Sequence, residues 1–197
     1  TALAALLSLV VTRIVVVTAL SYGLSRYALE MVIRVLVLEL IPLTAAMFVA
    51  MRCAIPSGAQ LAELRHSGRL AALERAGADP VRMELLPRVA AAGFASITLA
   101  ALSCVVALVM AYLSVYGVNT AGVAAFTRMF GHVFTPEVTL VFGLKTVFFS
   151  LAIAVIPMTA GMYDLGGTER RSELGGLARM FAVLLLIEIA SLLGNYY

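Results

Sequence analysis

Residues 57–88 read SGAQLAELRHSGRLAALERAGADPVRMELLPR, and they interrupt an apolar chain with five arginines (Arg65, Arg69, Arg75, Arg82, Arg88) and four acids (Glu63, Glu74, Asp79, Glu84). So charged a segment cannot lie in hydrocarbon. Leu61, Leu64, Leu70 and Leu73 nevertheless give it an apolar side, the pattern of a docking element that wants a protein or interfacial partner. Its turn residues predict two short helices lying across the membrane plane. Ser57 is placed to cap the first, Ser67-Gly68 separates it from the second, and Gly77 ends that one. Asp79-Pro80 is an N-cap followed by proline at the first helical position, and Pro87 is expected to open the next span.

On either side of this stretch the chain is membrane-like. Hydrophobic residues make up 62% and charged residues 13%, with a mean hydropathy of +1.04, outside the range of soluble domains. An α-helix needs about 20 mostly apolar residues to cross a bilayer. Five segments meet this, at 2–21, 31–55, 88–115, 137–162 and 177–195, and 57–87 is the polar coupling segment between two of them. The expected fold is therefore all-α, a single polytopic membrane domain over 1–197 with about five transmembrane helices. The chain opens at Thr1 and turns apolar at Ala2, so its native start is expected to be missing; residues 2–20 lack the basic flank of a signal peptide.

Lys and Arg are retained on the cytoplasmic side of a membrane. Arginines 65, 69, 75, 82 and 88 with Arg170, Arg171 and Arg179 outnumber Arg26, Arg34 and Arg128 on the opposite side. The reading is a cytoplasmic N-terminus, cytoplasmic 57–88 and 164–179 segments, and an outward C-terminus. Tyr22, Tyr27, Tyr116, Tyr196 and Tyr197 then form an outer aromatic belt. In the outer connection Val123, Phe126, Met129, Phe130, Val133 and Phe134 recur at steps fitting an amphipathic interfacial helix, which either meets lipid or a partner or packs on the bundle end.

Arg13, Glu39, Lys145 and Glu188 fall inside the spans, where an ionisable residue is costly and marks function by default. Each is seven or eight residues from the outer end of its span, roughly 10–12 Å deep. They either line a water-accessible cavity for a polar headgroup or pair between helices. Cys53 and Cys104 lie in apolar runs without ligand spacing and are expected to be core thiols. His66 and His132 are isolated, so no metal site is expected. Nothing in the charge pattern calls for nucleic acid. A Walker A motif is impossible because Lys145, the one lysine, follows Leu144, and HExxH and GxSxG are absent. Catalytic residues and a cofactor are expected in no part of this chain; ATP and Mg, if used, belong to a partner.

The ordered motifs resemble those of the MlaE-type permease family, membrane subunits of ABC systems that work with MCE-domain proteins in lipid traffic. Glu39-Leu40-Ile41-Pro42 is similar to that family's E-L-G-P, and Arg52 stands where it has G-R-A-G. Glu74 and Gly77-Ala78-Asp79-Pro80 through Pro87-Arg88 resemble M-E-x-M-x-V-D-P…P-R. Gly143-Leu144-Lys145 with Val147-Phe148 looks like the fourth span, and Tyr163-Asp164 like G-Y-D. The departures are Gln60 for a Glu, Gly68-Arg69 for an E-Q pair, Leu38 for a basic residue and Ile41 for a Gly.

The resemblance implies a homodimeric or heterodimeric permease in the bacterial inner membrane, two ABC ATPase subunits beneath it and a periplasmic MCE-domain protein above. Gln60, Glu63, Arg69, Glu74, Arg75, Asp79 and Pro80 would couple to the ATPase, with Asp164 a second contact. Glu39 and Lys145 match positions near a lipid cavity between protomers, which Arg13 and Glu188 would share. It also implies an interfacial helix ahead of the first span. Two other functions fit the charges: an ion-coupled secondary transporter using Glu39, Glu188 and Lys145, or a scaffold that only anchors an ATPase or MCE protein.

Overall fold

The computed structural model describes Val10 and residues 34–118, 120–163 and 169–196, and among them all regular structure is helical. Among the described residues, four helices are long and apolar enough to cross a membrane: Val37–His66, Val81–Leu113, Pro136–Met162 and Gly175–Gly194. They overlap the segments expected to span at 31–55, 88–115, 137–162 and 177–195. The expected span at 2–21, with Arg13, lies outside the described residues.

In chain order we name the helices α1 (34–66), α2 (Arg69–Arg75), α3 (81–116), α4 (Val123–Val133), α5 (Pro136–Met162) and α6 (Glu169–Tyr196). Both α1 and α3 are composite. Helix α1 alternates π-helical turns, Arg34–Leu40 and Ala50–Ala54, with α-helical Ile41–Val49 and Ile55–His66. Helix α3 starts with the π turn Val81–Leu85 and continues as Leu86–Tyr116. Each π turn ends two residues before a proline: Pro42, Pro56 or Pro87. A proline inside a helix has no N–H to give and its ring crowds the carbonyl four residues back. Widening the preceding turn keeps the ladder intact around it, as the Ile55 N–H shows by bonding the Ala50 carbonyl and the Leu86 N–H the Val81 carbonyl.

This continuity corrects the turn reading at two points. Ser57 caps nothing, because Ala54 before it is helical and α1 runs unbroken to His66. Pro87 does not open the third span, which already begins at Val81. The other signals hold. Gly68 (φ 73°) and Gly77 (φ 79°) adopt the left-handed conformation that bounds α2, and Asp79 Oδ1 accepts from the Val81 N–H at 3.0 Å, capping α3. At the start of α5 the Thr135 hydroxyl accepts from the Val138 N–H, with Pro136 and Glu137 in the first turn.

Helix α5 is the hub, packed against α6, α3 and both halves of α1. Along it the core forms three layers. Val37, Leu38, Ile41, Cys104, Ala107 and Val133 fill the end near α4. The middle holds Ala46, Val49, Phe149, Ile153, Met180 and Leu184. The third layer joins Ala54, Leu61, Leu70, Leu85, Ala92 and Met158. Near that end α1 and α5 touch backbone to backbone: a Cβ on Gly58 would lie 2.5 Å from the Pro157 carbonyl oxygen, and one on Gly161 would run into the Gly58 carbonyl. Only glycine permits this approach. Cys104 is in the core as expected, whereas Cys53 is exposed on α1, one position past Arg52, and is not a core thiol.

The apolar side of α4 closes onto the bundle. Val133 is fully buried and Phe126, Met129 and Phe134 pack on its layer, with the Phe126 ring edge-on to Tyr112 at 5.3 Å. Of the two readings of this helix, packing on the bundle end accounts for most of its apolar residues, while Val123 stays exposed.

Candidate functional site

Three of the four intramembrane charges meet. The ammonium of Lys145, from the middle of α5, forms an ion pair with Glu39 Oε2 of α1 and lies 2.9 Å from Glu188 Oε2 of α6. It also donates to the Leu38 carbonyl at 3.3 Å. That carbonyl is available for a sequence reason: the residue four positions on is Pro42, which has no N–H to offer it. An ammonium has three donors; two of them meet Glu39 Oε2 and the Leu38 carbonyl, while Glu188 Oε2 stands at ion-pair distance without a hydrogen bond, with the Phe149 ring 5.7 Å away.

The lysine side chain is 1% exposed and those of Glu39 and Glu188 are 9% and 15%. Charges removed from solvent to this degree persist only when paired and hydrogen-bonded. Ser191, one turn beyond Glu188, has a buried hydroxyl without a hydrogen-bond partner. Depth along each span was legible in the sequence; that α1, α5 and α6 converge at that depth was not. In the single chain the cluster is sealed between helices. Arg13 lies outside the described residues.

The expected coupling residues gather at the opposite end. Gln60 and Glu63 on α1, Arg69, Glu74 and Arg75 on α2, and Asp79 after it are all exposed, while Pro80 is buried. Asp164 lies outside the described residues. Leu61 is fully buried, Leu70 nearly so, and Leu64 and Leu73 pack beside them on α3 and α5. The apolar side of 57–79 thus finds its partner in the bundle itself, about 2 kcal/mol for each fully buried Leu, and the charged side faces outward. Arg65 ties the unit to α5 by donating to the Gly161 carbonyl at 3.3 Å. A cleft of about 270 Å³ opens between Leu64, Arg69, Leu70, Ala72, Leu73 and Glu84. Behind it Glu84 pairs with Arg88 at 2.9 Å.

One charged residue escaped the count of intramembrane charges. Arg52 lies within α1 and inside the expected span 31–55, and its side chain is exposed; its place in that span was already legible in the sequence.

Fold and site together define a multi-pass helical membrane protein, charged along one end and locked by a buried ion cluster nearer the other. The family model for Permease MlaE matches residues 1–194, and the chain belongs to the MlaE permease family. It is accordingly a membrane permease of the ABC lipid-transporter type. A comparison with curated proteins finds no match to the chain.

Proposed function

We propose that this permease moves phospholipid between the bacterial inner membrane and a periplasmic MCE-protein conduit. The energy comes from a separate ABC ATPase that binds the ATP and Mg, and a second permease protomer completes the pathway. In this reading the N-terminus and the 57–88 segment are cytoplasmic and the C-terminus is periplasmic. Glu39, Lys145, Glu188 and Arg13 contact the headgroup when the protomers part. Gln60, Glu63, Arg69, Glu74, Arg75, Asp79 and Asp164 meet the ATPase, with Pro80 buried behind them.

The observation that carries this reading is mechanical: one unbroken helix, α1, holds Glu39 near one end and the exposed coupling row at the other. A push on α2 reaches α1 through Leu61 and Leu70, and α5 through the Gly58–Gly161 contact and Arg65. Displacing α1 against α5 alters the geometry between Glu39 and Lys145. ATPase closure shifts this equilibrium only as far as it binds one arrangement better than the other.

The test combines Glu74→Arg with Asp79→Ala in the co-expressed complex. Loss of ATPase co-purification and of lipid transfer, with the permease still membrane-inserted, is the expected result. Unchanged association and unchanged transfer would remove this interface from consideration.

A further inference from the structure

Among the described residues, Arg52 belongs to neither the ion cluster nor the charged end of the bundle. Arg52 lies on α1 between Ala50, which packs in the layer of Phe149 and Ile153, and Ala54, which packs in the layer of Ala92 and Met158. It is therefore inside the bundle's length, roughly 20 Å along α1 from Glu39. Its side chain is exposed, and it has neither a hydrogen bond nor an ion pair among the described residues. Phe48, one turn earlier on the same face, is 55% exposed and Met51 is 66% exposed. Counted from the outer end of its span, Arg52 lies about 30 Å deep, at the inner edge of a hydrocarbon core about 30 Å thick, so a guanidinium facing outward there stands at the level of lipid headgroups.

Among the described residues no acid supplies an anion to meet it. Of the chain's eleven acids, only Glu39 and Glu188 fall in the interior of a span, and both are on Lys145. The other acids in the described residues lie within 63–84, at 137, and at 169 and 173, in connections or near the ends of helices. A second copy laid on this face would bring another Arg52 and, among the described residues, no carboxylate at that level.

We propose that Arg52 binds the phosphate of a glycerophospholipid in the leaflet on the α2 side, with the acyl chains lying along Phe48 and Met51. The planar guanidinium matches phosphate oxygens two at a time, and its aliphatic stem lets the head reach toward the headgroup layer from within the span. This rests on the chain lying in a membrane and not on the transport reading, so transport need not be measured to test it.

The detergent-solubilised full chain is titrated with dioleoyl phosphatidylglycerol and, separately, with dioleoylglycerol, which has the same tails and no phosphate; retained lipid is counted by native mass spectrometry. Wild type is expected to prefer phosphatidylglycerol, Arg52→Met to weaken its retention by roughly tenfold, and Arg52→Lys to fall between. Dioleoylglycerol retention should be the same in all three. Equal phosphatidylglycerol retention in wild type and Arg52→Met overturns the proposal. So does an altered dimer fraction in Arg52→Met with lipid retention unchanged, which would give the face to a second copy. If the Met variant fails to insert, the wild-type comparison decides alone: no preference for the phosphate-bearing lipid refutes the site.

Discussion

Lys145 on α5 and Glu188 on α6 approach to 2.9 Å at a point where the same ammonium also holds Glu39 of α1, so one side chain links three helices. Replacing it with an apolar isostere, Lys145→Met, leaves two carboxylates buried with their shared cation gone. Stranding a buried charge in this way costs about 3–5 kcal/mol. The expected outcome is a large drop in the thermal unfolding midpoint of the detergent-solubilised chain, with Glu188→Gln milder because Glu39 keeps its cation.

The pairing also predicts a charge-swap order. Lys145→Glu alone gathers three acids at one point and should be the least stable variant. Adding Glu39→Lys restores a cation between two carboxylates and should recover part of the loss, read as membrane-inserted yield and unfolding midpoint. Equal yields for the single and double variants would show that the cluster does not hold the helices together.

At the crossing of α1 and α5, Gly161→Ala drives a methyl group into the Gly58 carbonyl. Overpacking a contact between two backbones costs about 1–3 kcal/mol. Gly143→Ala, on the same helix but with open space around the added carbon, should be neutral or stabilising by up to about 1 kcal/mol through helix propensity. Unfolding midpoints of the two variants side by side test whether close approach, and not helix chemistry, sets the requirement for glycine at 161.

Gly68 and Gly77 stand in open space but at φ 73° and 79°. Alanine there meets no neighbour and is strained only by its backbone, about 1 kcal/mol at each site. Hydrogen exchange should show faster opening of 69–79 in either variant, with protection of α5 unchanged.

Helix content, the positions of four spans and the bounds of α2 could be read from residues alone, because each rests on local physics: run length against bilayer thickness, glycine at positive φ, Asp before Pro. The family resemblance was equally legible, since ordered motifs such as Glu39 to Pro42 and Asp79 to Pro80 survive without coordinates. Helix boundaries next to proline were not. Pro56 and Pro87 read as breaks, yet a π turn ahead of each carries the helix through, and whether a widened turn is tolerated depends on what packs around it.

The sequence by itself determined that Glu39, Lys145 and Glu188 lie at one depth, because depth follows from counting residues along a helix of fixed rise. Only the tertiary structure decided that they share an ammonium and that Arg52 is left without a partner among the described residues. Those outcomes depend on the rotation and crossing of α1, α5 and α6, set by non-local contacts such as Gly58 against Gly161, and the spacing within any one helix carries no record of them.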